Sequence, residues 1–159
     1  KASNDATVFN STAPTSSVVN IGTWGDLNGS GSTYVMYAFA EKTGYSKMGY
    51  YTGNENADGP FVYTGFRPAM VIIKKHTSGT SQNWRIIDNK RIGYNDKNHP
   101  LYPSATSAEG TSETTIDIVS NGFKLRGTGG AINSSGTGYI YYAVGQSLVG
   151  SNDIPCTAR

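Results

Sequence analysis

Two histidines, His76 and His99, are the imidazoles available as general bases in this 159-residue chain. A nucleophilic triad would need one of them within hydrogen-bond reach of a serine or of Cys156, with an acid behind it. No G-x-S-x-G elbow is present. His76 closes an apolar run and His99 lies in a polar stretch, so both read as surface residues. Glycosidase chemistry needs two carboxylates facing each other across a cleft. Glu109 and Glu113 are four apart, but in a Ser/Thr/Gly-rich segment. Asp117 alternates outward on its strand, and Asp88 follows Trp84-Arg85-Ile86-Ile87 with no evident partner. We therefore expect no catalytic residues.

Metal and cofactor signals are equally thin. Asn54, Asn56 and Asp58 stand at positions 1, 3 and 5 of a loop with Gly59 at position 6, the opening of a calcium loop. Position 12 is Gly65 rather than a bidentate Glu. Asn and Asp also favour tight turns for backbone reasons, and a turn is the preferred reading of this weak calcium-loop candidate. No Cys/His spacing suits zinc, and no phosphate-binding or dinucleotide glycine pattern occurs, so no cofactor is expected. The sequons at Asn10, Asn28 and Asn133 are as many as chance gives a chain this rich in Asn, Ser and Thr. The single cysteine, Cys156, cannot make an internal disulfide and reads as inert.

Binding chemistry is better represented. The chain has 11 Tyr and 2 Trp among abundant Ser, Thr, Asn and Gly. Flat amphipathic rings give rigid contact area at low entropy cost, as lectin-like and adhesive surfaces do. The tentative ligand-binding residues are Trp84, Tyr94, Tyr102 and Trp24. Tyr34, Tyr37, Tyr139 and Tyr142 are expected instead to fill a core or face cross-strand neighbours. A net charge of +2 is too small to imply a nucleic-acid partner, and Lys74-Lys75-His76 reads as a solvated strand end. No run approaches the roughly 18 apolar residues of a membrane span. Lys1 does not open a signal peptide, and the lack of an initial Met leads us to expect upstream sequence.

The elements that must position these groups are strands. Charged residues are 15% and there are 20 Gly, a composition suited to short strands and polar turns rather than helices. Period-2 stretches bounded by Gly, Pro and Asn run over Tyr34–Glu41, Tyr45–Thr52, Phe61–Thr64, Ala69–Lys75, Trp84–Asp88, Thr115–Val119, Gly122–Arg126 and Tyr139–Gln146. The fold class is all-β: an antiparallel β-sandwich, jelly-roll or concanavalin-like, with a partly repeated hairpin. Both faces of Tyr34–Ala40 are apolar, as in a central strand covered on both sides. A long polar connection, Asn89 to Ser112, carries Pro100 and Pro103, and such connections are commonly functional or interfacial.

The repeat is internal. Sliding the chain by 105 residues aligns Gly22–Ala38 with Gly127–Ala143, nine of 17 positions being identical without a gap. Residues 1–41 therefore read as the closing hairpin of an upstream repeat or as a completing part of the same sandwich, and residues 42–159 as the β-sandwich module.

The segments Gly44–Asn54 and Ala57–Pro68 resemble a domain family of marine bacteriophage tail-fibre and virion structural proteins. Similar stretches are Ala108–Thr111, Ser120–Arg126 and the Tyr-rich closing strand, so the resemblance spans about 34–146. The family's closing Phe-Ala-Glu appears as Phe39-Ala40-Glu41, whereas the second copy ends Val144-Gly145-Gln146. The resemblance implies a virion location, extracellular once assembled, and a concanavalin-like sandwich. It assigns no catalytic residue. The expected function is a structural module of a phage tail fibre or appendage, touching the host surface, glycan included, through Tyr, Trp and Asn. Alternatives are a capsid or fibre decoration module that binds only other virion subunits, and a polysaccharide-degrading enzyme. Expected partners are other virion proteins and copies of the chain, a trimer by analogy with such appendages, with no nucleic acid and no membrane insertion.

Overall fold

The computed structural model describes residues 6–77, 82–91, 95, 97–111, 113 and 115–146. Tyr94 and Cys156 lie outside them. The chain divides into two compact units, Lys1–Phe39 and Ala40–Arg159.

The first unit contains two single-turn helices, α1 (Ala6–Phe9) and α2 (Gly25–Asn28). The Gly22 and Trp24 N–H groups bond the Val8 and Thr7 carbonyls and tie the two turns together. The strand expected over Tyr34–Glu41 does not form, and Tyr34 and Tyr37 are exposed rather than buried. A strand is stable only through the ladders on its edges, and the described residues of its unit offer no strand to pair with.

The second unit is the β-sandwich. Its strands are β1 (Ser46–Thr52), β2 (Phe61–Tyr63), β3 (Pro68–Lys75), β4 (Arg85–Asp88), β5 (Ile116–Val119), β6 (Gly122–Leu125) and β7 (Gly138–Gly145). Each lies within a residue or two of its expected span. They form two antiparallel sheets, ordered β1-β7-β3-β4 and β2-β6-β5. β7 is central, pairing with β1 (Tyr51 opposite Tyr139) and with β3 (Ile73 opposite Tyr141). Pro68 opens β3 and Pro60 precedes β2, where a missing donor costs no ladder bond. The repeated turn, Gly127–Thr137, carries the chain from β6 in the small sheet to β7 in the large one. Its flanking strands pair with other neighbours rather than with each other.

The core lies between the inner faces. Val71, Ile73, Ile87, Tyr51, Tyr139, Tyr141 and Ala143 come from the large sheet, and Val62, Ile116, Ile118, Phe123 and Leu125 from the small one. Alternation along β7 puts residues 139, 141 and 143 inward and 140, 142 and 144 outward. Tyr51 stacks on Tyr139 with centroids 5.1 Å apart, and Phe123 stands edge-on to Tyr51 at 6.2 Å and to Tyr141 at 5.3 Å. The buried hydroxyls are satisfied: Tyr51 donates to the Ile132 carbonyl at 2.7 Å and Tyr139 to that of Gly130 at 2.8 Å. Burial, and then the neighbouring Tyr139, raise the Tyr51 phenol well above its ordinary range, so it remains a donor. Gly49 on β1 faces the Tyr141 ring, where a Cβ would come within 2.9 Å, so a larger residue here would have to displace that ring.

Both edges of the large sheet are occupied. On β4, Ile86 and Leu101 exchange backbone hydrogen bonds, each 3.0 Å. On β1, the Met48 N–H donates to the Glu41 carboxylate at 2.9 Å. No helix among the described residues is long and apolar enough to cross a membrane.

Candidate interaction surface

The polar connection after β4 folds back along the β4 edge and is fastened by ion pairs. Arg91 donates to Asp88 at 2.7 Å and to Glu109 at 2.6 Å. Arg85 pairs with Glu113, which also accepts the Tyr102 hydroxyl, and the Arg85 guanidinium lies 5.2 Å from the Tyr102 ring centre. Asn98 is buried beneath, its Oδ1 accepting the Thr115 and Ile116 N–H groups at 2.9 Å. Glu109 and Glu113, read in sequence as a pair of acids, thus each face a cation. Asp117 does likewise, accepting from Arg126 at 2.6 Å. His99 Nδ1 lies 3.7 Å from Glu109, and His76 is exposed after β3.

Burial alone would raise the Asp88 carboxyl. The Lys90 N–H, the Arg91 side chain and the Arg91 N–H outweigh it and hold the carboxyl below its ordinary value. A folded value below the unfolded one, about 3.9, contributes stability above that pH and loses it as pH falls through the folded value. Asp88→Asn is therefore expected to lose less of its urea midpoint between pH 7 and pH 3 than the parent chain. An unchanged acid loss in the variant would refute the assignment.

The calcium-like loop spends its oxygens on its own backbone. Asn54 Oδ1 accepts the Asn56 N–H at 3.1 Å, Asn56 Oδ1 accepts the Asp58 N–H at 2.8 Å, and Asp58 pairs with Lys124 at 2.8 Å. These are successive Asx turns. No group of three metal-ligating side chains occurs among the described residues.

The tentative ligand-binding aromatics do not form one site. Trp84 and Tyr102 both come to the β4 edge, where the Trp84 N–H donates to Ser104 Oγ at 3.1 Å. The Trp84 ring is 39% exposed, but the Tyr102 hydroxyl is engaged by Glu113. Trp24 belongs to the first unit, and Tyr94 lies outside the described residues.

A surface that the sequence reading passed over is the outer face of the large sheet. The ladders align Met48, Tyr142, Ile72 and Ile86 in one cross-strand row. Tyr50, Ile140 and Lys74 form the next, and Val144 and Met70 lie in a third that ends at Asp88. Tyr50 is 73% exposed and its apolar neighbours are half-buried. Strands about 4.8 Å apart, with same-face side chains about 6.8 Å apart, make this roughly a few hundred Å², the size of the largest patch on an ordinary monomer and often a functional one. The signal was present in sequence: β3 and β7 have apolar residues at both parities, the pattern noticed at Tyr34–Ala40.

Over residues 1–147 the chain matches the family described as Domain of unknown function (DUF7483). It belongs to that family. The family match runs through both units and so includes the β-sandwich. No curated protein and no solved structure matches the chain.

Proposed function

We propose that this DUF7483 chain is a non-enzymatic structural module of a phage appendage, a tail fibre or similar, that works by surface contact with the host, glycans included. The observation that carries the reading is the pairing of an apolar outer sheet face with candidate acids that are each neutralised by a cation. Such a molecule is equipped to adhere, and its acids are committed to holding loops in place. The virion context rests on the resemblance of Ala57–Pro68 and the closing strand. Weak single contacts become useful avidity when many copies share one particle.

Glycan-array binding by the intact chain tests this. The expected result is a defined glycan set whose binding falls at least about tenfold on Trp84→Ala, the scale of losing one aromatic anchor. The outer sheet face favours a second reading, a decoration module that packs only against other virion subunits. A blank array, with the chain located solely at subunit contacts in an intact particle, selects that reading. Polysaccharide turnover abolished by Glu109→Gln or Asp117→Asn overturns both.

A further inference from the structure

The two copies of the internal repeat fold into the same turn. In the second copy the Ile132 and Asn133 N–H groups bond the Gly129 carbonyl at 3.1 and 2.9 Å; in the first, those of Leu27 and Asn28 bond the Trp24 carbonyl at 2.9 and 2.8 Å. The Asn133 amide donates to the Gly127 carbonyl at 2.8 Å, as that of Asn28 does to Gly22 at 3.0 Å. Tyr139 donates to Gly130 at 2.8 Å and accepts from Ser134 at 2.9 Å; Tyr34 donates to Gly25 at 2.6 Å and accepts from Gly29 at 2.9 Å. Gly136 and Gly31 both take the left-handed backbone, at φ 66° and 76°, which glycine alone adopts without strain. Every one of these pairs is 105 residues apart.

What differs is what the turns touch. The second turn is locked into the sandwich. Ile132 is buried at 2% exposure and its carbonyl receives the Tyr51 hydroxyl. Asn133 receives the Asn54 N–H at 2.9 Å and donates to the Asn56 carbonyl at 2.9 Å, and the Thr137 carbonyl receives the Gly53 N–H at 2.9 Å. The strand that follows, β7, is paired on both edges. In the first copy Leu27 is 39% exposed, and among the described residues Asn28 keeps only its internal side-chain bond to Gly22. Residues 34–38 lie in no strand, with Val35, Met36 and Tyr37 exposed at 76%, 63% and 80%. Consecutive exposed apolar residues with strand patterning are unfavourable in water unless something covers them.

We propose that Gly22–Ala40 is the closing segment of a second copy of the module. In that copy it takes the place that Gly127–Gly145 takes here, with Tyr34–Ala40 as the central strand between β1 and β3. The partner is a β1–β6 scaffold of the same family, preceding this one in a longer chain. Several side chains suit the position: Tyr34 for Tyr139, Val35 for Ile140, Tyr37 for Tyr142, and Ala38 for the fully buried Ala143. Three pairs change character: Asp26 for buried Ala131, Met36 for buried Tyr141, and Thr33 for Gly138, where a Cβ would come within 2.6 Å of the His76 ring. Directly after this segment, Ser46 Oγ donates to the Ala40 carbonyl at 2.8 Å as the chain enters β1. Modules would then follow one another at the 105-residue period of the repeat, and this reading is independent of the proposed function.

Hydrogen exchange on the 159-residue chain and on an extended chain decides it. The extended chain carries an added copy of residues 42–126 in place of 1–21, so that the added Arg126 runs into Gly22 as Arg126 runs into Gly127. In the parent chain, amides 35–38 are expected to exchange at least about a hundredfold faster than 140–143. In the extended chain they become protected to a comparable degree and the added copy folds. Val35→Asp with Ala38→Asp in the extended chain is expected to abolish that protection and unfold the added copy while residues 46–145 stay protected. Amides 35–38 that remain fast, an added copy that stays unfolded, or protection that survives the double substitution would each overturn the proposal. Protection of 35–38 that grows with concentration of the parent chain would also overturn it, since it would place the strand on the sheet edge of another molecule.

Discussion

Phe123→Ala is expected to lower the unfolding free energy by about 3–5 kcal/mol, a large part of the roughly 5–15 kcal/mol that holds an ordinary domain together. The ring is fully buried and brings the small sheet into the tyrosine cluster of the large one, edge-on to both Tyr51 and Tyr141. Alanine removes the transfer free energy of the ring and two aromatic contacts, and leaves a cavity that sheets held by their own ladders cannot collapse to fill. Urea titration followed by near-ultraviolet circular dichroism reads both the loss of stability and the loosening of the tyrosines. Phe123→Leu keeps most of the volume and is expected to cost less than half as much. A loss below about 1 kcal/mol for the alanine variant would mean that the sheets do not meet at this residue.

Asn133→Ala is expected to cost about 3 kcal/mol or more, although it removes only a small polar side chain. That side chain is wholly buried, and it joins the Asn54 N–H, the Asn56 carbonyl and the Gly127 carbonyl. Its loss leaves one donor and two acceptors without this partner in part-buried surroundings, and unmade bonds of that kind cost more than made ones contribute. Asn133→Asp is no rescue, because it restores the acceptor but aims a carboxylate at two carbonyl oxygens. The repeat supplies the control. Asn28→Ala, 105 residues earlier, loses a single partly exposed bond and is expected to cost under about 1 kcal/mol. Equal losses at the two positions, measured by urea titration, would contradict the difference in their surroundings.

The seven strands of the sandwich were legible because each is a short alternating or apolar run closed by Gly, Pro or Asn. Tyr34–Glu41 has the same pattern as β7 and forms no strand, which shows what the pattern omits: pairing belongs to two segments, and only one is read at a time. The placing of β7 between β1 and β3 was likewise beyond reach, since their pairing spans 64 to 98 residues of sequence, as in Lys75 with Tyr139 and Ser46 with Val144. At the surface, Glu109 and Glu113 looked like a pair because they are close in sequence. In space, arginines 18 and 28 residues away claim them. Trp84 and Tyr102 were chosen by residue type and do share an edge, but the hydroxyl that was to meet a ligand is turned onto Glu113. Trp24 was chosen on the same ground and falls in the other unit.

The Glu41 carboxylate on the Met48 amide and the Leu101 bridge on Ile86 have a bearing on how such molecules behave when crowded. A lone strand end is where foreign chains stitch on and where fibrils begin. Here a negative charge guards one flank of the large sheet and the chain's own backbone shuts the other. These two contacts leave the flanks of the large sheet less open to stitching by a foreign chain.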